Sequence, residues 1–120
     1  MRAELKRLHS PDADLRSYKP SPEQAFSILV QAMVGHEGGA AEESFNFVVC
    51  SPEWLHQRYL ETGAPIFGAS HIVVDDFDYM EIEAAIKKLC RSIEGRDWSE
   101  IASKLGRYGS WEFADYRAQA

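Results

Sequence analysis

Apolar residues recur every three or four positions between Ile82 and Ile93, and this is the strongest periodic signal in the chain. Ile82, Ala85, Ile86, Leu89, Cys90 and Ile93 fall on one stripe of an α-helix, while Glu81, Glu83, Lys87, Lys88, Arg91 and Glu94 take the opposite face. Acids lead and bases trail, as the helix dipole favours. Asp78 and Glu81 have the spacing of a capping box at the helix start. Just upstream, Ile66-Phe67-Gly68 and His71-Ile72-Val73-Val74 read as an extended run closed by Asp75 and Asp76. A helix with a single apolar stripe needs a sheet to lie on.

The first half of the chain supplies that sheet. Phe26, Ile28, Val30, Ala32 and Val34 alternate with Ser27, Leu29, Gln31 and Met33. Strict alternation with β-branched residues predicts a strand, although Ser21-Pro22-Glu23-Gln24 looks like a helix start. Gly35 to Glu43, with Gly38-Gly39, reads as a mobile hairpin loop, and Phe45 to Cys50 returns as the partner strand. Residues 3–9 fit an edge strand with Ala3, Leu5 and Arg7 on one side and Glu4, Lys6 and Leu8 on the other. Residues 12–22, holding two prolines and few apolar side chains, read as a surface loop.

Three helix starts follow the hairpin. Ser51-Pro52-Glu53-Trp54 begins a helix with a mixed, moderately apolar face (Trp54, Leu55, Arg58, Tyr59) that ends near Thr62-Gly63. After the 82–93 stripe, Asp97-Trp98-Ser99-Glu100 is a second capping box, for a stripe of Trp98, Ile101, Ala102 and Leu105 with Gly106 as C-cap. Trp111, Phe113 and Tyr116 are expected to anchor the C-terminus on the body. The order strand, strand, strand, helix, strand, helix, helix predicts an α+β fold: a mostly antiparallel sheet of about four strands with two or three helices packed on one face. A crossover through 51–65 makes strand 66–74 parallel to strand 44–50; a simple return makes it antiparallel. The sequence leaves both open.

A chain of 120 residues reads as a single domain over 1–120, large enough to bury a core without metal or disulfide support. The net charge of −6 argues against nucleic acid as a partner and suits either a basic protein partner or plain solubility. Cys50 sits in a hydrophobic run and Cys90 on the apolar stripe, so both read as buried thiols and not as a disulfide framework. The opening residues have no signal-peptide character and no stretch approaches a membrane span, which points to a cytoplasmic protein with no membrane partner.

Candidate chemistry is sparse. His9, His36, His56 and His71 are scattered without metal-ligand spacing, and neither cysteine has a C-x-x-C partner. His9 with Asp12 and Asp14 reads as a solvated loop before it reads as a site. Cys50 reads as an inert core thiol before a nucleophile. Gly35, Gly38 and Gly39 lack the Lys and Ser/Thr of a phosphate-cradling loop and more simply serve the turn. No catalytic residue, metal or cofactor is therefore expected. What remains are two carboxylate clusters: Glu37, Glu42 and Glu43 in the hairpin loop, and Asp75 and Asp76 at the strand–helix junction. Each is a solvated face or a contact for a basic partner.

Leu8-His9-Ser10-Pro11-Asp12, the block from Glu43 to Leu55 (with Phe45-Asn46-Phe47-Val48-Val49-Cys50-Ser51-Pro52) and the ending Trp98-Ser99-Glu100, Arg107-Tyr108-Gly109 and Trp111-Glu112-Phe113-Ala114-Asp115-Tyr116 together resemble the immunity protein 8 family of bacterial polymorphic toxin systems. The resemblance spans nearly the whole chain; Ala114 departs from a position pictured as often acidic in the family. It implies a non-enzymatic α+β protein that binds and neutralises a cognate toxin and so protects the producing cell. It also implies structural roles for Trp54, Trp111 and Ser51-Pro52. It carries over no toxin-binding residue and no oligomeric state, so Glu37, Glu42, Glu43, Asp75 and Asp76 stand as candidates on charge alone, for a toxin expected to be basic. The rival class is a small cytosolic adaptor or assembly module; an enzyme is less favoured. A metal-free, reduced core has a direct consequence: EDTA and a reductant should each leave the melting temperature unchanged, and a fall of several degrees with either would reveal a metal or disulfide staple.

Overall fold

The alternating stretch forms the long central strand. In a computed structural model, which describes residues 1–21 and 23–114, it runs Ser27–His36 as β2, between β1 (Ala3–His9) and β3 (Glu43–Cys50), antiparallel to both. Ile28 lies opposite Val49, Val30 opposite Phe47 and Ala32 opposite Phe45, all buried on one face. Leu29 opposite Val48, Gln31 opposite Asn46 and Met33 opposite Ser44 make the other face, which is half-exposed. A one-residue slip would exchange the two sets. Each large buried apolar side chain contributes roughly 1.5–3 kcal/mol, so the register is fixed.

β1 departs from simple alternation. Its register with β2 shifts between Leu5 and Arg7, and the extra residue is Lys6. This bulge turns both Leu5 and Leu8 toward the core cluster, with Ala3, and leaves Arg7 and His9 opposite Met33 and Gln31 on the other face. Arg7 therefore does not share a side with Ala3 and Leu5, as unbroken alternation would have it.

The outer edge of β3 is divided between two short strands. β4 (His71–Val73) is parallel to it, with His71 opposite Val48 and Val73 opposite Cys50. Helix α1 (Pro52–Thr62) lies within the crossover. β5 (Ser110–Trp111) pairs antiparallel with Phe45 and Asn46. Because β5 takes the first half of that edge, β4 starts only at His71, and residues 66–70 form a loop instead of the strand expected from Ile66.

Helices α2 (Tyr79–Arg91) and α3 (Trp98–Leu105) cover the buried face. They bury Ile82, Ile86 and Cys90, and Ile101, Ala102 and Leu105; Ile93 follows α2 into the same core. Asp78 Oδ1 accepts from the Met80 and Glu81 N–H groups (2.9 and 3.4 Å), and Asp97 Oδ1 from Glu100 N–H (2.8 Å). The carboxylate of Glu100 pairs with Arg96 and Lys104, which holds its pKa below the usual carboxylate range. α1 stands apart. None of its residues is buried, and its Trp54 ring lies 6.3 Å from that of His71, a residue aligned with Val48 on the half-exposed face.

Two further details differ from the sequence reading. The 12–20 segment is partly core: Leu15 is buried, and Tyr18 packs edge-on against Phe26 and Phe77 at 6.3 and 5.0 Å. Gly35 is buried in β2, where a Cβ would come within 2.0 Å of the Ala41 carbonyl oxygen; the turn itself uses Gly38, at φ 82°. Gly106 caps the C-terminus of α3 as its sequence predicts, in right-handed helical geometry.

Trp111 is buried and stacks on Phe45 at 6.2 Å with 7° between planes. Phe113, 40% exposed, meets it edge-on. Tyr116 lies outside the described residues. Trp111→Ala should lower stability by roughly 3–5 kcal/mol in urea unfolding, the range for losing a buried aromatic. A variant that unfolds like the parent would refute the anchor role.

Candidate functional site

Both acidic clusters are set by the topology of β3. The hairpin cluster sits where β2 turns into β3. β4 runs parallel to β3, and Val74 N–H bonds Cys50 carbonyl at 2.9 Å, so Asp75 and Asp76 leave the sheet at the opposite end. An eight-residue strand separates the ends by roughly 26 Å. Parallel pairing thus answers the question the sequence left open: the clusters do not merge into one patch.

At the hairpin end, two of the three carboxylates are engaged within the protein. Glu42 pairs with Arg7, Oε1 lying 2.8 Å from a terminal guanidinium nitrogen and 2.9 Å from Nε. Glu43 accepts from the Trp111 indole N–H at 2.7 Å. Nearby, Lys6 bridges the Glu4 carboxylate and the Gly39 carbonyl; its hydrogen bond is the main reason the Glu4 pKa is lowered. Of the three candidates only Glu37 is exposed, its backbone N–H held by the Arg2 carbonyl at 2.8 Å. Glu43 ties the start of β3 to Trp111, a contact between residues 68 apart in the chain that no sequence signal marks.

At the far end Asp75 and Asp76 are both exposed. One oxygen of Asp76 accepts from Phe77 N–H (2.9 Å). Asp76 also lines a hollow of about 430 Å³ with Arg16, Lys19 and Tyr79, where the Arg16 guanidinium stacks 4.5 Å above the Tyr79 ring. Burial and the Glu83 carboxylate push the Tyr79 pKa up.

The remaining candidates stay apart. Asp14 turns its carboxylate to Arg16 N–H (3.0 Å), and His9 lines a hollow of about 250 Å³ with a buried, unpartnered Nδ1. Among the described residues no group of three or more His, Cys, Asp or Glu is arranged to hold a metal ion. Cys50 and Cys90 are free and buried. Burial raises both thiol pKa values, that of Cys90 to about 11.

Two surfaces went unread in the sequence. One is the half-exposed sheet face, with Leu29, Met33 and Val48. The other is α1 and the loop after it: residues 56–65 are exposed without interruption, and Phe67 is 90% exposed. The only hint was that Trp54, Leu55, Tyr59 and Leu60 are interleaved with charges and fail to form one stripe.

Three helices and a mixed, mostly antiparallel five-stranded sheet, with α2 and α3 on its buried face, define an α+β protein. The model of the immunity protein 8 family matches residues 3–116, and the chain belongs to that family. No curated protein and no solved structure matches it. Among the described residues, no helix is long and apolar enough to cross a membrane.

The raised thiol pKa values set a reactivity. At pH 8 a thiol of pKa about 11 is ionised to the order of one part in a thousand. Native protein should therefore react with a thiol reagent far more slowly than protein unfolded in denaturant, with Cys90 the slower site by mass spectrometry. Rapid native labelling of Cys90 would contradict its burial.

Proposed function

We propose that this protein binds a cognate toxin domain and neutralises it by occupancy, acting without catalysis in the cytoplasm of the cell that makes both. The family match across residues 3–116 carries this reading. The net charge of −6 favours a basic toxin, such as a nuclease.

The five candidate carboxylates then divide by what else they do. Glu37, Asp75 and Asp76 are exposed and available to a basic partner. Glu42 and Glu43 are half-buried and already bond Arg7 and the Trp111 N–H, so they also hold the hairpin. Rim charges act mainly on association rate and its salt dependence.

The test uses the toxin domain encoded beside this gene. Glu37→Lys combined with Asp75→Lys and Asp76→Lys should slow association and flatten its salt dependence, with the melting temperature unchanged. Glu43→Lys should instead lower stability by about 1.5–3 kcal/mol, through loss of a hydrogen bond to a charged acceptor. Unaltered association kinetics in the triple variant would remove the acidic surface from the reading. Failure of the parent to bind or protect would remove the reading itself.

A further inference from the structure

Resting on the toxin-binding reading, we propose that α1 and the loop after it form an apolar docking arm, which seats in an apolar cleft rimmed by Lys and Arg on the toxin domain. The arm presents Tyr59 (49% exposed), Leu60 (65%) and Phe67 (90%), with Val73 (49%) on β4 behind it. Tyr59, Leu60 and Phe67 fall within nine residues of chain and outside the core cluster, and exposed apolar side chains so placed mark an interaction surface.

The fold needs a crossover between β3 and β4, but core packing does not account for its being helical. An isolated helix of 11 residues is marginal in water, and in most proteins a buried face makes up the deficit. α1 buries no residue and is held by its ends. Ser51 Oγ accepts from Trp54 N–H at 3.3 Å and from the buried Phe26 N–H at 3.1 Å, which ties the N-cap to the body. Gly63, at φ 66°, closes the other end with its N–H on the Tyr59 carbonyl at 2.8 Å. Trp54 against His71 steadies the first turn. The arm is thus preformed, and little ordering cost remains for binding.

Charge selects the occupant. Asp75 and Asp76 leave β4 beside Cys50, where Ser51 begins α1, and the helix itself carries Glu53 and Glu61 against Arg58. A second copy of this chain would bring these same acids against themselves, whereas a cleft rimmed by bases pairs with them. The described C-terminal segment leaves in the other direction, with Glu112 N–H on the Ser44 carbonyl at the hairpin end.

The experiment measures dissociation of the purified chain from the toxin domain encoded by the neighbouring gene. Leu60→Ser with Phe67→Ser should dissociate at least about tenfold faster, at low and high salt alike, and should melt as the parent does. Tyr59→Ser, as a second variant, should shift dissociation in the same direction. Parent-like dissociation in both variants overturns the arm and leaves the toxin-binding reading standing. A parent that does not bind the toxin domain overturns that reading, and the arm's partner with it. Sedimentation showing a parent dimer that Leu60→Ser with Phe67→Ser dissolves makes a second copy the occupant and overturns the proposal. A melting temperature several degrees lower in the variants makes the arm part of the core and also overturns it.

Discussion

Strand β3 must pair along both edges at once, and the rest of the structure follows from how it does so. Its inner edge takes β2 in antiparallel register from Glu43 to Cys50, which sets Phe45, Phe47 and Val49 beside Ala32, Val30 and Ile28. Its outer edge is split. Phe45 and Asn46 take β5, and Val48 to Cys50 take β4. The C-terminal segment is therefore more than a tail: it completes the sheet, and Trp111 stacks on Phe45 across that same pairing. The parallel sense of β4 forces a crossover, and α1 occupies it.

Ser51 is where these demands meet. It is a fully buried polar residue, and its hydroxyl accepts from two N–H groups, one opening α1 and one just before β2. Without it, the Phe26 N–H would be left buried without that partner, at a cost of about 1–3 kcal/mol. The end of β3, the start of β2 and the first turn of α1 are thereby fixed together. Pro52 suits the next position because the first helical N–H needs no partner.

Much of this was legible in the sequence where a local pattern and a tertiary need agree. The β2 alternation, the α2 stripe (apart from Ala85, which is exposed), the α3 stripe and the Asp78 and Asp97 caps were read correctly because each is complete within a dozen residues. The failures share a cause. The Lys6 bulge, the two-residue β5 and the burial of Leu15 and Tyr18 depend on partners far away in the chain, and leave no period to detect. Composition showed five acids but not their ties. Only coordinates separate Glu42 and Glu43, held by Arg7 and Trp111, from Glu37. α1 was recognised as a helix from its caps, but capping reports where a helix ends and not what it rests on, and the lack of a single apolar stripe was the sole hint that it would lie off the sheet.

The crossover between Cys50 and His71 has one more implication, for how such a chain can change over generations. Substitutions at exposed positions away from caps and networks usually move stability by no more than about 0.5 kcal/mol, and lengthening a surface connection is nearly as mild. With residues 56–65 all exposed, that connection can be rewritten almost without disturbing the folded body. The hairpin end has no such latitude, since Glu42, Glu43 and Gly35 are each bound to a structural task. A lineage under pressure to follow a changing adversary would find its room to vary in the crossover and its constraint in the sheet.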